Sequence, residues 1–433
     1  MNLFLRYCCL LPAAIGFVFS NPLELAPSFT FRIDHVMLEP GKAVTLSLSP
    51  AAHQPETGDP PQMGSFFLVA WDGSAERQLV PPIHIDLARL PLALRVNVPD
   101  ISPGNYLLEL RVSEMGSFLR APLHDASRKS VPVHIERLAA QATALRTRLA
   151  RFSGDSPALV TAQYPLDFYD RVDRGEEGLR RFARYPFREQ FAQANSILDA
   201  LSAGRDPFAD TQGNFRRAYR DPLDRSLQPY RLFVPGSYDG SRDFPLVVAL
   251  HGSGGDENDF FDNYREAPML PEAQRLGFLV VCPRGRGPKS GYRAAAERDV
   301  FNVLAEVRRQ YRIDSRRIYL MGHSMGAFAT WRLGALHPDL FAALGLIAGG
   351  GDPADAPKLR AVPQYIVHGA LDEVVPVAQS RVIAAAARGA GATVVYIELP
   401  RAGHYDAALG QFTPMFDFFS KQARPEPAVT GQE

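Results

Sequence analysis

The pentad Gly322-His323-Ser324-Met325-Gly326 follows the strand-like run Ile318-Tyr319-Leu320-Met321 and precedes the helix-forming run Ala327 to Leu336. No other feature of the chain restricts its fold so tightly. Two glycines four residues apart let a strand turn into a helix at once, because backbones can crowd where no Cβ intervenes, and the serine between them is held in a strained conformation. Its hydroxyl then projects above the end of the strand. The positive N-terminal end of the following helix favours an anion beside it. Ser324 is therefore read as a nucleophile, with the Met325 N–H as the nearest donor to a developing oxyanion. The plain alternative is an ordinary turn serine, and the flanking strand and helix weigh against it.

A strand that feeds a helix in this way belongs in a parallel sheet, and the chain after Gly213 alternates accordingly. Candidate strands are Tyr230 to Val234, Leu246 to Leu250, Leu279 to Cys282, Ile318 to Met321, Leu344 to Ile347, Gln364 to Val367 and Val394 to Leu399. Helical patterns lie between them at Ala294 to Gln310 and Val377 to Arg388, with a closing helix near Met415 to Gln422. Short continuous apolar runs alternating with helices predict an α/β doubly wound, mostly parallel sheet over residues 213–423. The Pro- and Glu-rich residues 424–433 are expected to form a disordered tail.

Serine is a poor nucleophile at neutral pH, so a base and an orienting acid must accompany it. Asp372 lies 48 residues beyond Ser324 in the loop leaving Gln364 to Val367, and His404 lies 32 residues further, just after the last strand. Each role thus falls at the C-terminal edge of a strand, where crevices form in open parallel sheets. Asp352 is the second choice for the acid. His368 is read as a support of the acid loop and His323 as a neighbour of the serine. The segment Leu250-His251-Gly252-Ser253-Gly254-Gly255-Asp256 offers a second oxyanion donor, Ser253 N–H or alternatively Gly254 N–H. A phosphate-binding loop is excluded there by the missing lysine. No cluster has metal-ligand spacing, and no cofactor is implied.

The first part of the chain reads differently. Residues 1–20 carry one arginine and then the apolar run Tyr7 to Phe19, too short to span a membrane, and are expected to be an export signal ending before Asn21. Export to the medium or the periplasm follows, with no integral membrane segment after signal removal. Cys8 and Cys9 would leave with the signal, and Cys282 alone cannot form an internal disulfide. Runs of period two such as Val44 to Leu48, Leu94 to Val98 and Tyr106 to Val112 predict a β-sandwich over residues 22–136 that resembles an immunoglobulin-like module. From Ile135 the spacing becomes helical, and Pro165, Gly175 and Pro186 are expected to break residues 137–212 into a helical connector or a partial roof over the site.

The 47 Lys and Arg balance 47 Asp and Glu. Zero net charge without a basic run removes the electrostatic attraction that nucleic acids and anionic membranes supply, so neither is an expected partner. Oligomeric state leaves no trace in the sequence.

Residues Tyr230 to about Phe419 resemble the α/β-hydrolase superfamily. The resemblance rests on Tyr230-Arg231-Leu232-Phe233-Val234-Pro235, the His251-Gly252 loop, the Gly322 to Gly326 pentad with Trp331 downstream, Phe341 to Gly351, and the Asp372 and His404 segments. Within it the chain is most similar to secreted esterases of the feruloyl-esterase, polyhydroxybutyrate-depolymerase and predicted-peptidase type, akin to prolyl oligopeptidase catalytic domains. One departure is that many secreted depolymerases carry disulfides. The resemblance implies a serine carboxylic-ester hydrolase acting on a small or polymer-linked ester, or alternatively a serine peptidase of the prolyl-oligopeptidase kind. A non-catalytic binding protein on the same fold is a third class. Only the Ala348 to Pro363 loop is available as a cap, which suits a short acyl group or an aryl ester. His251, Trp331, Tyr292 and Tyr264 are candidate substrate-wall residues, and Arg284, Arg286, Lys289 and Arg293 either meet an acidic substrate or form a solvated loop.

Overall fold

The computed structural model describes residues 29–50, 62–79, 82–85, 89–114, 128–209, 211–264 and 269–425. The expected export signal and most of the expected tail lie outside them. The chain divides into two compact units, one of residues up to Arg137 with Val172–Ala183, the other of Leu138–Arg171 with Arg184 onward.

The first unit is built from the period-two runs. Its strands are β1 (Phe29–Ile33), β2 (Met37–Leu38), β3 (Ala43–Pro50), β4 (Gln62–Ala70), β5 (Glu76–Gln78), β6 (Ile83–Ile85), β7 (Leu92–Asn97), β8 (Gly104–Glu114) and β9 (Arg128–Ile135). They form a three-stranded sheet β1-β3-β7 and a six-stranded sheet β2-β9-β8-β4-β5, with β6 on β4. All pairs are antiparallel except β2 with β9. Alternation buries one face of each strand: Leu46 and Leu48 of β3 share one apolar core with Phe66, Leu68, Leu108, Leu110, Val133 and Ile135 of the other sheet.

The second unit holds eight more strands: β10 (Gly213–Arg220), β11 (Leu227–Val234), β12 (Phe244–Leu250), β13 (Leu279–Pro283), β14 (Ile313–His323), β15 (Ala343–Ile347), β16 (Gln364–Gly369) and β17 (Val394–Leu399). Their order in the sheet is β10-β11-β13-β12-β14-β15-β16-β17. Pairings are antiparallel from β10 to β13 and parallel from there on. Strands β12, β13, β15 and β16 are buried along their whole length, as a sheet covered on both faces requires. Leu250 pairs with Gly322, His323 with Ile347, and Gly369 with Leu399, so the loops after β12, β14, β16 and β17 leave one edge of the sheet.

Two expectations need correction. Strand β10 is not among the sequence candidates, because Arg216, Arg217 and Arg220 mask its pattern, yet Phe215, Arg217, Ala218 and Tyr219 are buried. The guanidinium of Arg217 lies over the Phe208 ring at 3.7 Å, which lets an apolar site accept a cation. The second correction concerns the helices between the predicted domains. Pro165 does not break the chain but lies inside the helix Pro157–Asp173. Tertiary packing outweighs the lost backbone bond: Tyr164 and Phe168 stack there, and Phe168 also packs on Tyr185 and Phe187. The same helix is tied to the second unit's sheet, since Thr161 Oγ1 accepts from Ala218 N at 3.2 Å. Leu138–Arg171 and the residues from Arg184 on are grouped with the second unit, and Val172–Ala183 with the first.

Candidate active site

Ser324 sits at the sharp bend between β14 and the helix Met325–Leu336, with φ of 55° and ψ of −120°. Such a backbone is costly for any residue but glycine, so its surroundings must impose it. They do so by close contact. A Cβ on Gly326 would lie 1.9 Å from Leu250 O, and one on Gly322 would lie 2.3 Å from Gly326 C. The Ser324 N–H donates to Ile347 O at 2.9 Å, which fastens the bend to β15. The Met325 N–H is among the first-turn donors that a helix leaves unpaired.

The loop after β12 faces this bend, and a Cβ on Gly252 would lie 3.3 Å from Ser324 Cβ. Gly254 N–H donates to Pro288 O at 2.8 Å and is thereby engaged. Ser253 N–H has no acceptor among the described residues, which leaves it as the second donor of the loop. His251 is 1% exposed, with Nε2 2.8 Å from Arg284 O and Nδ1 2.9 Å from Gly252 O. Its ring holds the loop in place and does not face a substrate.

On the other side, His404 Nδ1 donates to Asp372 Oδ2 at 2.7 Å. The Val374 and Val375 amides each donate to Asp372 Oδ1 at 2.8 Å. Burial alone would raise the Asp372 carboxyl, but hydrogen bonds from His404 and these two amides outweigh it and hold the carboxyl below its ordinary value. Among the described residues His404 Nε2 carries no hydrogen bond, from Ser324 Oγ or from any other group. His323 links the two sides: its Nε2 donates to His404 O at 3.0 Å and its ring lies 4.9 Å from that of His404. Burial, reinforced by the nearby His404, pushes His323 down to about 4, so it is neutral at physiological pH.

Ser324, Met325, Ser253, Asp372 and His404 thus converge on one edge of the sheet. Other candidates do not. Trp331 is fully buried, and its Nε1 donates to Asp352 O at 2.8 Å. Tyr292 is fully buried as well, 5.4 Å from the His251 ring. Both support loops and neither can line an open site, which corrects their expected role as substrate walls. Asp352 accepts from Ala354 N at 2.9 Å as the cap of the turn Pro353–Leu359, and is not the acid. Arg286 meets no solvent-borne acid, because it pairs with Asp221 and Asp224. Tyr264 packs edge-on to His323 at 6.0 Å. Leu371, Val374 and Tyr405, which periodicity does not single out, are 61%, 64% and 63% exposed beside the acid and the base. Among the described residues no group of His, Cys, Asp or Glu is arranged to hold a metal, and no helix is long and apolar enough to cross a membrane. Cys282 is buried, and burial raises its thiol well above the ordinary value, which excludes it as a nucleophile.

Residues 232–372 match the model of the alpha/beta hydrolase family. The bifunctional acetylxylan esterase/xylanase XynS20E of Neocallimastix patriciarum is 31% identical over 133 residues, 30% of this chain and 19% of that protein. Feruloyl esterase B of Talaromyces funiculosus is 27% identical over 129 residues, 27% of this chain and 35% of that protein. The chain thus spans well under two thirds of either relative. Among solved structures, a thermostable esterase aligns with 90% of this chain and 99% of its own at 17% identity and a TM-score of 0.45. The matched segment runs from β11 through the bend at Ser324 to Asp372 and lies in the doubly wound sheet of the second unit, so this part of the chain is similar to the alpha/beta hydrolase family and to the esterases named above.

Proposed function

We propose that this protein is an exported serine carboxylic-ester hydrolase with Ser324, His404 and Asp372 as its triad. The observation that carries this is a serine on a sterically enforced bend, at the same sheet edge as a histidine bonded to a buried carboxylate at 2.7 Å. Ser324 Oγ attacks the ester carbonyl while His404 Nε2 takes the hydroxyl proton, and the imidazolium formed is stabilised by Asp372. The carbonyl oxygen becomes an oxyanion held by Met325 N–H and Ser253 N–H, each such donor being worth roughly 100- to 1000-fold in rate. When the C–O bond breaks, His404 returns the proton to the leaving alcohol. Water then attacks the acyl-enzyme with His404 again as base, releasing the carboxylic acid and restoring Ser324.

Short-acyl or aryl esters, of the acetyl and feruloyl type, are the proposed substrates. The open rim of Leu371, Val374 and Tyr405 supports this, as do relatives named acetylxylan and feruloyl esterases. No observation favours the peptidase alternative. The N-terminal sandwich is proposed to be an immunoglobulin-like platform.

The purified protein is expected to cleave p-nitrophenyl acetate and to be labelled by a fluorophosphonate probe, with both lost in Ser324→Ala. Turnover by Ser324→Ala equal to that of the wild type would overturn the proposal. A panel of acetyl, butyryl, octanoyl and feruloyl esters then ranks the acyl groups.

A further inference from the structure

We propose that residues 284–294, which join β13 to the helix Ala295–Gln310, clamp the two oxyanion donors, and that Asp299 is the positioning residue that anchors this clamp. The inference rests on the triad and the donors proposed above and adds what holds those donors in place.

One side of the segment bonds to the surroundings of both donors. Pro288 O accepts from Gly254 N at 2.8 Å, one residue beyond Ser253. Gly291 N donates to Met325 Sδ at 3.4 Å, so the residue whose amide is the other donor is held through its side chain. Tyr292 O accepts from Arg332 Nη2, and Arg332 lies on the helix that Met325 begins. Gly254 follows β12 and Met325 follows β14, so a single segment ties together two donors that come from different strand ends.

The other side is fixed in the interior. Asp299 is 0% exposed; its Oδ2 accepts from Gly285 N at 2.9 Å and its Oδ1 from the Tyr219 hydroxyl of β10. Gly285 has φ of 60°, and a Cβ there would lie 2.4 Å from Tyr292 Cε1, so the chain passes the anchor where only glycine fits. Arg286 supplies the second anchor. Its Nη1 donates to Asp224 Oδ2 at 2.6 Å and to Ser226 Oγ at 3.0 Å, and its Nη2 pairs with the buried Asp221, all three partners lying between β10 and β11. Arg286, Tyr292 and Ala294 have φ of 62°, 51° and 52°. Such backbone persists only where its surroundings impose it, and the two anchors are part of that imposition.

A sheet needs some connection between β13 and the next helix, but not one bonded to both donor loops. A developing oxyanion gains only from donors already aimed at it, and a displacement of about 1 Å can cost on the order of 100-fold in rate while substrate still binds. Without the Asp299 carboxylate, Gly285 is released, and Pro288 O and Gly291 N are free to shift with it. The penalty then falls on the transition state and not on the binding of the ester.

Inhibition of the full-length protein by trifluoroacetophenone reads the donors directly. Ser324 Oγ adds to the ketone carbon, the carbonyl electron pair moves to oxygen and the hydroxyl proton goes to His404, which gives an oxyanion with no leaving group. Asp299→Ala removes the acceptor of Gly285 N–H and of the Tyr219 hydroxyl. It is expected to lower kcat on p-nitrophenyl acetate about thirtyfold with KM within about twofold, and to raise Ki for the ketone by about the factor lost in kcat/KM. Asp299→Asn keeps an oxygen for Gly285 N–H and is expected to recover kcat to within about threefold of the wild type. A rise in KM at constant kcat, an unmoved Ki, or an asparagine variant as impaired as the alanine one overturns the positioning role. If Asp299→Ala does not fold, Arg286→Ala decides: kcat is expected to fall and Ki to rise by about fivefold each, and neither moving overturns the clamp. Turnover by Ser324→Ala equal to that of the wild type would remove the triad, and this role with it. A wild type that the ketone inhibits, beside an Asp299→Ala protein of unaltered kinetics, would remove this role alone.

Discussion

The two halves of the candidate site are held by different forces. Around Ser324 the backbone itself is the tool: Gly322 and Gly326 touch neighbouring main chain so closely that neither could carry a side chain. Around His404 the tools are polar, namely a carboxylate with two amide donors and two imidazoles. The comparison teaches that the nucleophile half is sensitive to volume and the acid–base half to protons and charge. Each half is then broken by a different kind of substitution.

The largest separation comes from paired variants. His404→Gln removes the base and leaves the packing nearly intact, so kcat/KM is expected to fall by about ten thousandfold while urea unfolding shifts by less than about 1 kcal/mol. Gly326→Ala should do the reverse. Its methyl meets Leu250 O at 1.9 Å, a backbone atom that no rotamer change can move aside. Destabilisation of about 3 kcal/mol or more is expected, measured by urea denaturation or by loss of soluble protein. A Gly326→Ala protein as stable as the wild type would sink the steric account of the bend.

The nucleophile half was legible in the sequence because its constraint is local: five residues between a strand and a helix specify it. Asp372 and His404 were legible because each follows a strand at the edge where crevices form. What the sequence does not carry is which way a side chain points across the sheet. Trp331, His251 and Tyr292 look like wall residues from position alone, yet all three are turned inward to support loops. The contact of His368 with Ser380 joins a strand to a helix 12 residues on, and no short motif announces it. Strand β10 and the helix through Pro165 were hidden for a related reason, since buried arginines and an interior proline are tolerated only through packing partners far along the chain.

His323 bridges the halves and offers a test of intermediate size. In the unfolded chain it takes a proton below its ordinary 6.5, but burial delays this in the folded protein to about 4. The unfolded state therefore binds the extra proton first. Stability is full above pH 6.5, falls as pH drops from there to about 4, and falls no further below. The difference between the two values corresponds to about 3 kcal/mol. Urea unfolding at pH 7, 5.5 and 4.5 should show this slope in the wild type and a slope reduced by about one proton in His323→Gln. Equal slopes would mean that the ring is not held neutral between the bend and the base loop.

The smallest expected effect concerns the open side of the polar half. Tyr405 is 63% exposed, yet its ring lies 5.3 Å from that of His404 and 5.8 Å from that of His323. Leu371 and Val374 flank Asp372 with similar exposure, so an apolar rim borders the proposed acid and base. A bound aryl group can stack there, and the gain from one such contact is about 0.5–1.5 kcal/mol. Tyr405→Ser is accordingly expected to raise KM for a feruloyl ester about three- to tenfold, to leave KM for an acetyl ester within twofold, and to change kcat little for either. Equal losses on both esters would show that Tyr405 braces the His404 loop instead of meeting substrate, and the polar half would then have to find its selectivity in Leu371 and Val374 alone.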